Sequence, residues 1–427
     1  MNCKKITAFL LCALLAVPFA GCKKALPAEG GTPSAAQSGA ASAAELKPEA
    51  GATLKFRTGG TADTAFAKAA AANFEKKYGV KVTVEEGGLY DTQKIALEGP
   101  SGKGPDVFIC PHDKTAECIK SGYFLPLDPS IIKKLNDEVL PICMKTVTSG
   151  GKCYGVPVSV ETYVLFYNKK LVKTPITTFE QLAKEAKAYN NPKKNKFYYL
   201  FESTGSPMYT MLSTYGFQLF GKDGTDSDHP GFDTPAFEKG LEVLQKYHKI
   251  IPISSGDLGN TDFLDTQFEN GNTAYIMSGP WDVQTFRKAG VDLGAVPLPT
   301  LDGHQQKSFA FIQNAHVSAY TKYPKAAQLF AESLISPESA ELLYTKASKI
   351  TARKDAASLK GLANDEVLQA IIKAFGNSNP MPSSKRISYF WTISNDICTA
   401  VFDGKITPAQ GAKKAQDEWN SLVKVES

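Results

Sequence analysis

Residues 154–171 have the sequence YGVPVSVETYVLFYNKKL, and they decide the fold. In the first half, Val156, Val158 and Val160 alternate with a proline and a serine, and this two-residue period predicts a half-buried strand. Proline lacks a backbone donor, so we expect this strand at the edge of a sheet or starting near the proline. Residues 164–167 are apolar, aromatic or β-branched, which predicts a second strand inside a buried sheet.

Glu161 is the single carboxylate between these two predicted strands. An acid in such surroundings costs free energy unless it is paired or faces a cleft. Glutamate is almost always exposed in folded proteins, so a solvent-exposed acid on an edge strand is the competing interpretation. Residue type alone favours neither interpretation over the other.

Composition restricts the class of protein. Single cores seldom grow beyond about 250 to 300 residues, so a chain of 427 residues is expected to form two lobes. Charged residues make up 21% and apolar residues 43%, which excludes a disordered chain and a multi-span membrane protein. The formal charge of +5 predicts no nucleic-acid-binding surface.

The N-terminus has the pattern of a secretory signal. Lys4 and Lys5 precede an apolar run, residues 6–20, that is too short to span a bilayer. We therefore predict a signal peptide over residues 1–21. Residues 22–53 consist mostly of small and polar residues and cannot bury enough surface to offset the entropy of ordering, which predicts a flexible tether.

The folded part is predicted to begin with a β-α-β unit. Strands are expected at residues 54–57 and 80–85, with an amphipathic helix between them that Thr61 or Asp63 can cap. Such a unit predicts a mostly parallel sheet covered by helices. Ligands bind beyond the carboxyl ends of the strands in these sheets, so the turn at residues 59–63 is expected to line a cleft.

The strand predicted at residues 107–110 is followed, after two residues, by Asp113 and Lys114. Adjacent Asp and Lys residues on a loop are more often a solvated pair than a binding site. The spacings of Cys110 from Cys118 and of Cys143 from Cys153 permit local disulfides, but the sequence does not fix the connectivity among these four and Cys398. No metal site or cofactor is predicted, because the histidines are scattered and no Cys-x-x-Cys pair occurs in residues 22–427.

The phrase LFYNKKL at residues 165–171 resembles a recurrent segment of extracellular solute-binding proteins of the maltose-binding type. Further blocks match in family order: GPDV at 104–107, FENGNTAYIMSGPW at 268–281, GAVPLP at 294–299, SPE at 336–338, MP at 381–382 and FW at 390–391. The resemblance extends from about residue 54 to the C-terminus. It implies a two-lobed α/β periplasmic-binding-protein fold (type II, Venus-flytrap), with a mainly parallel sheet flanked by helices in each lobe.

The resemblance also implies that each lobe is interrupted in the chain. The first lobe is expected at residues 54–158 plus 313–362 and the second at 162–308 plus 365–427. The hinge crossings are then expected near residues 159–161, 309–312 and 363–364.

Ligand-binding roles follow from the same resemblance. Asp113 and Lys114 match a His-Asp-Arg motif that binds hydroxyls in the family's sugar binders, with Lys in place of Arg. Trp281 and Trp391 match positions that stack on sugar rings, although large aromatics are usually core residues. Glu161 lies at the crossing between the lobes. The remaining candidates are Thr61, Asp63, Tyr209 and Asn395, while Trp419, on an amphipathic terminal helix, is predicted to be structural.

Several departures weaken the assignment of a particular sugar. Thr61-Ala62 stands where maltodextrin binders have Asp-Lys, and Cys110 stands where they have a stacking Trp. Asn395 replaces an Arg, and their Glu-Pro-Tyr is absent from the region of residues 204–206, where Tyr209 is the nearest aromatic. Maltodextrin is therefore the leading candidate only.

FAGC at residues 19–22 resembles a lipobox, with Phe19 in place of the usual Leu. It implies that a diacylglyceryl group is attached to Cys22, although an ordinary signal with a chance cysteine is the alternative. The expected protein is secreted and lipid-anchored at the cell membrane, facing the periplasm or the cell exterior.

The resemblance implies a monomeric, non-enzymatic component of an ABC importer. It would bind a sugar or oligosaccharide between its lobes and present it to permease subunits that a cytoplasmic ATPase drives. A binding protein for a smaller polar solute such as a glycerol phosphate is the alternative within this class. A carbohydrate hydrolase that uses Asp113 and Glu161 is the alternative from another class, but it lacks a nucleophile motif, a metal set or a cofactor loop.

Overall fold

The computed structural model describes residues 46–426, so the predicted signal peptide and the lipid-anchor residue Cys22 lie outside the described part. The strands are β1 (Thr53–Arg57), β2 (Lys81–Glu85), β3 (Val107–Pro111), β4 (Thr148–Ser149), β5 (Lys152–Cys153), β6 (Val156–Glu161), β7 (Val164–Asn168), β8 (Phe197–Phe201), β9 (Thr273–Ser278), β10 (Leu293–Val296), β11 (Thr300–Leu301), β12 (His304–Gln305), β13 (Phe309–Val317), β14 (Ile350–Thr351) and β15 (Asn379–Pro380).

The helices are α1 (Thr64–Tyr78), α2 (Thr92–Glu98), α3 (Thr115–Lys120), α4 (Pro129–Glu138), α5 (Pro141–Val147), α6 (Phe179–Tyr189), α7 (Gly205–Leu212), α8 (Pro235–His248), α9 (Ser255–Leu258), α10 (Thr261–Glu269), α11 (Val283–Lys288), α12 (Pro324–Ser333), α13 (Pro337–Ala347), α14 (Glu366–Gly376), α15 (Ile387–Phe402) and α16 (Pro408–Glu426). None of the described helices is both long enough and apolar enough to cross a bilayer.

Two sheets organise the molecule into two α/β lobes. The first sheet has the strand order β14-β6-β13-β3-β1-β2, with β15 paired to β13. The second has the order β10-β7-β9-β8. Helices α1, α12 and α13 pack on the first sheet, and α6, α10 and α14 pack on the second. The predicted two-lobed α/β architecture is thereby confirmed.

The sheets are less parallel than expected. In the first sheet β1 is parallel to β2 and β3, as the β-α-β prediction requires. Strand β13 is antiparallel to both β3 and β6. In the second sheet β7 is antiparallel to both of its neighbours. The reason is topological, because β6 leads the chain from the first sheet to the second, whereas β13 brings it back.

Strand β6 is not the half-buried edge strand that the alternation suggested. All six of its residues are buried, and it lies between β13 and β14. Its proline is accommodated because the register with β13 shifts beside it: Gln313 pairs with Ser159 and Asn314 with Pro157, which leaves Val158 as the extra residue. The following strand, β7, is central in its sheet, as predicted.

Helix α1 begins where expected, but neither predicted cap is used. The helix starts after Asp63, whose side chain makes no capping hydrogen bond because Lys349 engages its carboxylate. The helix ends at Gly79, whose φ of 69° lies in the left-handed region that glycine adopts without strain.

The described N-terminal segment is attached to α12. The Glu49 carboxylate accepts hydrogen bonds from the backbone N–H groups of Lys325 and Ala326, at 2.8 and 2.9 Å. These are orphan donors of the first helical turn, so a side chain from the segment before β1 satisfies the N-terminus of a helix more than 270 residues later.

The five cysteines in the described part are buried free thiols: Cys110, Cys118, Cys143, Cys153 and Cys398. Neither of the local disulfides that the spacing permits is formed in this structure.

Candidate functional site

A cavity of about 550 Å³ lies between the carboxyl ends of β3 and β6 and the segments that follow β8 and β9 of the second sheet. Its walls are formed by Leu89, Tyr90, Pro111, His112, Asp113, Glu161, Tyr163, Glu202, Thr204, Gly205, Ser206, Trp281, Phe311, Ile312, Gln313, Met381, Trp391 and Asn395. We call the side with Asp113 and Glu161 the polar wall, and the side with Trp281, Trp391 and Glu202 the aromatic wall.

The turn after β3 is fixed by His112. This imidazole is fully buried, and its Nδ1 accepts a hydrogen bond from the Ile312 N–H at 3.1 Å. Its Nε2 lies 3.1 Å from the Met381 carbonyl oxygen, to which it donates. Burial lowers the pKa of His112, which fits a neutral ring with its proton on Nε2. The two hydrogen bonds of His112 therefore fix the position of the next residue at the cavity.

That next residue, Asp113, is buried, and within the described residues its Oδ1 has no hydrogen-bond partner. Burial raises the pKa of Asp113, and the nearby ammonium group of Lys114 and a hydrogen bond with Trp391 partly offset the rise. A buried carboxylate oxygen without a donor is costly in an empty cavity. Asp113 Oδ1 therefore has unused capacity to accept a hydrogen bond.

Glu161 is the last residue of β6 and is 6% exposed. Its Oε1 lies 3.4 Å from Lys349 Nζ, and its Oε2 accepts a hydrogen bond from Gln313 Nε2 at 3.2 Å. Glu161 is paired and also lines the cavity, so the interpretation that it must be paired or face a cleft is confirmed, and the competing interpretation, a solvent-exposed acid on an edge strand, is wrong. Asp63 forms an ion pair with the same lysine, with 2.8 Å between Asp63 Oδ1 and Lys349 Nζ.

The aromatic wall is held by edge-to-face contacts. Trp281 lies at 85° to Tyr163, with ring centroids 5.2 Å apart, just after β9. A Cβ at Gly279 would lie 2.3 Å from the Trp281 ring, so only glycine fits there. Trp391, on α15, lies at 89° to Phe309 with a centroid distance of 5.9 Å. Both indoles are half-buried, which leaves ring surface available to the cavity.

Three carboxylates lie close together at this wall. Glu202 lines the cavity, and Asp265 and Asp282 lie near it. Burial raises the pKa of all three, and their mutual repulsion adds to the effect. For Asp265 the pKa rises from 3.8 to about 7. Within the described residues none of the three forms an ion pair with a lysine or arginine.

A sequence profile of the family described as bacterial extracellular solute-binding protein matches residues 69–370, about 70% of the chain. This chain belongs to that family. A maltooligosaccharide ABC transporter solute-binding lipoprotein of Streptococcus pneumoniae (strain ATCC BAA-255 / R6) is 30% identical over 84% of this chain and 85% of its own length. A galactooligosaccharide-binding protein of Bacillus subtilis (strain 168) is 28% identical over 99% of this chain and 98% of its own.

Solved structures agree with the family. The crystal structure of a cyclo/maltodextrin-binding protein complexed with maltotetraose superimposes with a TM-score of 0.77 at 29% identity. The match covers 87% of this chain and 97% of that chain. The recognition made from the sequence blocks and the predicted two-lobed fold are both confirmed.

Five of the nine predicted site residues of this solute-binding protein line the cavity: Asp113, Glu161, Trp281, Trp391 and Asn395. The other four do not. Tyr209 is 1% exposed and stacks on Phe309 at 3.5 Å, so it belongs to the core. Asp63 is turned into its ion pair with Lys349.

The last two lie outside the walls. Thr61 is exposed, and its hydroxyl donates to the carboxylate of Glu86. The ammonium group of Lys114 lies 3.9 Å from Glu117 and 6.0 Å from the centroid of the Tyr90 ring. It is thus beside the rim of the cavity.

Sequence reasoning missed Tyr90, Tyr163, Glu202 and Lys349. Glu202 could have been found, because it directly follows β8 and so stands at the carboxyl end of a strand. Tyr163 lies within the stretch quoted at the outset. The other two carry no local signal: Tyr90 is in a glycine-rich loop, and Lys349 reaches its partners only through the fold.

Proposed function

We propose that this solute-binding protein takes up a maltodextrin-type oligosaccharide between its lobes and delivers it to an ABC permease. The observation that carries the proposal is the composition of the cavity walls. Two half-buried indoles and two buried carboxylates line the same cavity, and among the described residues that line it none is a lysine or arginine.

This combination suits a neutral sugar. A pyranose presents weakly polarised C–H groups on its face, which a planar π-surface covers, while its hydroxyl rim stays available for hydrogen bonds. Asp113 Oδ1 is free to accept such a bond, and Glu161 retains acceptor capacity beyond its bonds to Lys349 and Gln313. We infer that Trp281 and Trp391 stack on sugar rings and that Asp113 and Glu161 bind hydroxyls.

The walls disfavour the glycerol phosphate alternative. A phosphate would meet the carboxylates of Asp113, Glu161 and Glu202 without a lining cation to compensate. The N–H of Gly205, at the start of α7, already donates to Asn395 Oδ1 and so is not free for an anion. A galactooligosaccharide is the second candidate, because a relative that matches nearly the whole chain is named for that ligand.

We further propose that the lobes are residues 54–158 plus 313–362 and residues 162–308 plus 365–427. The chain would then cross near residues 159–161, 309–312 and 363–364. A ligand that contacts both walls favours closure about these crossings, as in other two-lobed binding proteins. Small-angle scattering should therefore show a smaller radius of gyration with ligand than without it.

Cys22 is proposed to carry the lipid anchor, which would keep the monomeric protein near its permease and the associated ATPase. The naming of a relative as a lipoprotein supports this assignment. We expect Cys22→Ala to release the protein into the soluble fraction. A variant that stays as membrane-bound as wild type would refute the lipobox.

The decisive experiment is a thermal-shift and calorimetric screen of maltotriose, a galactooligosaccharide and glycerol 3-phosphate. A ligand at about 100 times its dissociation constant should add about 2.7 kcal/mol to the free energy of unfolding. Stabilisation by maltotriose supports the proposal, whereas stabilisation by glycerol 3-phosphate alone overturns it. Analysis of maltotriose after long incubation tests the hydrolase alternative, since protein-dependent cleavage would contradict a purely binding role.

A further inference from the structure

Lys349 is a buried cation directly behind the polar wall. It immediately precedes β14, and its side chain is 10% exposed. Its Nζ lies 2.8 Å from Asp63 Oδ1, 3.1 Å from Asp63 Oδ2 and 3.4 Å from Glu161 Oε1. One ammonium group thus joins the turn after β1, the end of β6 and the start of β14.

The ammonium group is charged at neutral pH. Burial lowers the pKa of Lys349, but the nearby carboxylates Glu161 and Asp63 more than offset this, so that its pKa is raised above the usual value. Removing one partner from such a buried set leaves an uncompensated charge, which is strongly unfavourable. The lysine therefore supplies the compensating positive charge for both buried carboxylates.

The two carboxylates are not equivalent. Glu161 lines the cavity, whereas Asp63 does not. The set carries one positive and two negative charges, so one negative charge remains in excess, and the cavity-facing member is the one that can present it to a ligand. Gln313 Nε2 fixes the second oxygen of Glu161, which leaves the carboxylate little freedom to rotate.

We propose that Lys349 is a positioning residue for ligand binding: it holds Glu161 in place as an acceptor for a hydroxyl of the ligand, and Asp63 holds Lys349. The lysine itself does not touch the ligand. The proposal deepens the proposed function and rests on it, since it requires a hydroxyl-bearing ligand in the cavity.

The pH dependence of ligand affinity distinguishes a positioning role of Lys349 from a purely structural role. The charged and titratable groups that face Glu161 are Lys349, Asp63 and, across the cavity rim, Tyr90 and Asp113. With the lysine removed, a buried pair of carboxylates takes up a proton as the pH falls. The protonated form is a weaker acceptor, so the affinity of a Lys349→Met variant should fall further behind that of wild type between pH 8 and pH 5.

The test compares full-length wild type with Lys349→Met by calorimetric titration with maltotriose and by thermal unfolding. We expect a loss of affinity of about tenfold or more, because a charged hydrogen bond to the ligand is weakened. Arg353→Met is the matched control. Arg353 is equally buried four residues later and pairs with Glu138 and Asp355, away from the cavity. It should lower the melting temperature and leave affinity unchanged.

A double variant covers the case in which Lys349→Met does not fold. Asp63→Asn/Lys349→Met removes one charge of each sign and still leaves Glu161 without its cation, so the same loss of affinity is expected. Asp63→Asn alone keeps the lysine beside Glu161 but removes the group that holds the lysine, so it should lose less affinity than either lysine variant.

The outcomes separate the two proposals. If wild type does not bind maltotriose, the proposed ligand is wrong. The positioning role is then decided without ligand, because infrared spectra of Lys349→Met near neutral pH should show more protonated carboxyl absorbance than the spectra of wild type and Arg353→Met. If wild type binds maltotriose and both lysine variants bind it as tightly as wild type at pH 5 and at pH 8, Lys349 is only structural and the inference fails.

Discussion

Two pairs of acids beside the cavity have opposite surroundings. Behind the polar wall, Asp63 and Glu161 share the buried cation Lys349. Behind the aromatic wall, Asp265 and Asp282 have no cation among the described residues, and the pKa of each is raised. The first arrangement supplies a compensating cation, while the second has none among the described residues, and there the pKa of Asp265 rises to about 7.

The difference indicates that the two walls would contribute differently to ligand binding. A wall with fixed charges in fixed positions can select the orientation of hydroxyls, because each misplaced hydroxyl leaves a buried acceptor unpaired. A wall of indoles contributes area with little directional demand, so it can accept sugars that differ in linkage or length. Four expected results sharpen or break this comparison.

The largest effect is expected when the aromatic wall is removed. Trp391→Ala or Trp281→Ala should cost about 2–4 kcal/mol of binding free energy, from lost burial plus stacking. Trp419→Ala is the matched control, because this indole is 1% exposed in the core. It should cost about 3–5 kcal/mol of stability and no affinity. Paired calorimetry and denaturant unfolding check both; normal binding by Trp281→Ala and Trp391→Ala would remove the wall from the site.

The polar wall should show a somewhat smaller effect that depends on ligand chemistry. Glu161→Gln or Asp113→Asn should weaken binding by about 1.5–3 kcal/mol per charged hydrogen bond, without unfolding the lobes. The measurement is a titration of each variant with maltotriose and with deoxy analogues. A variant that loses the same amount with every analogue would argue against specific hydroxyl contacts.

The unpaired carboxylates predict a pH effect on stability. The pKa of Asp265 rises to about 7 in the folded protein from an ordinary value of 3.8, so between these pH values the folded state binds more protons than the unfolded state. Its contribution is therefore most unfavourable above pH 7 and vanishes below about pH 4. Allowing for solvent screening, we expect Asp265→Asn to stabilise the protein by about 1–2 kcal/mol at pH 8. Urea unfolding at pH 4 should show no gain.

The smallest effect is expected at the rim. Tyr90 lines the cavity although it is 59% exposed, which is typical of a side chain that a ligand covers. Tyr90→Ala should cost about 0.5–1.5 kcal/mol of binding. Tyr320→Ala is a suitable control, because Tyr320 is also exposed but lies away from this cavity. Equal effects of the two substitutions would show that Tyr90 is not part of the binding surface.

The sequence predicts the local parts of this molecule well. The parallel β1-α1-β2 unit and the buried strand β7 both follow from periodicity and turn chemistry within a few residues. Its errors arise where distant segments meet. Burial of β6 depends on β14, nearly 200 residues away, and the alternation of valines contains no information about that partner.

The same limit applies to the site. Matching blocks led to Trp281 and Trp391 because their neighbours in sequence are distinctive. Tyr209 was chosen as the nearest aromatic along the chain, yet the direction of its ring is set by Phe309 across the core. Lys349 could not be found at all, because a lysine next to a short strand is ordinary until the fold brings two carboxylates to it.

The contact between Glu49 and α12 has a mechanical consequence. A load applied to the described N-terminal segment enters the body through the first turn of α12, a helix that packs on the first sheet. If the proposed N-terminal anchor and the proposed closure both operate, the lobe with the first sheet is the fixed base and the other lobe moves relative to it.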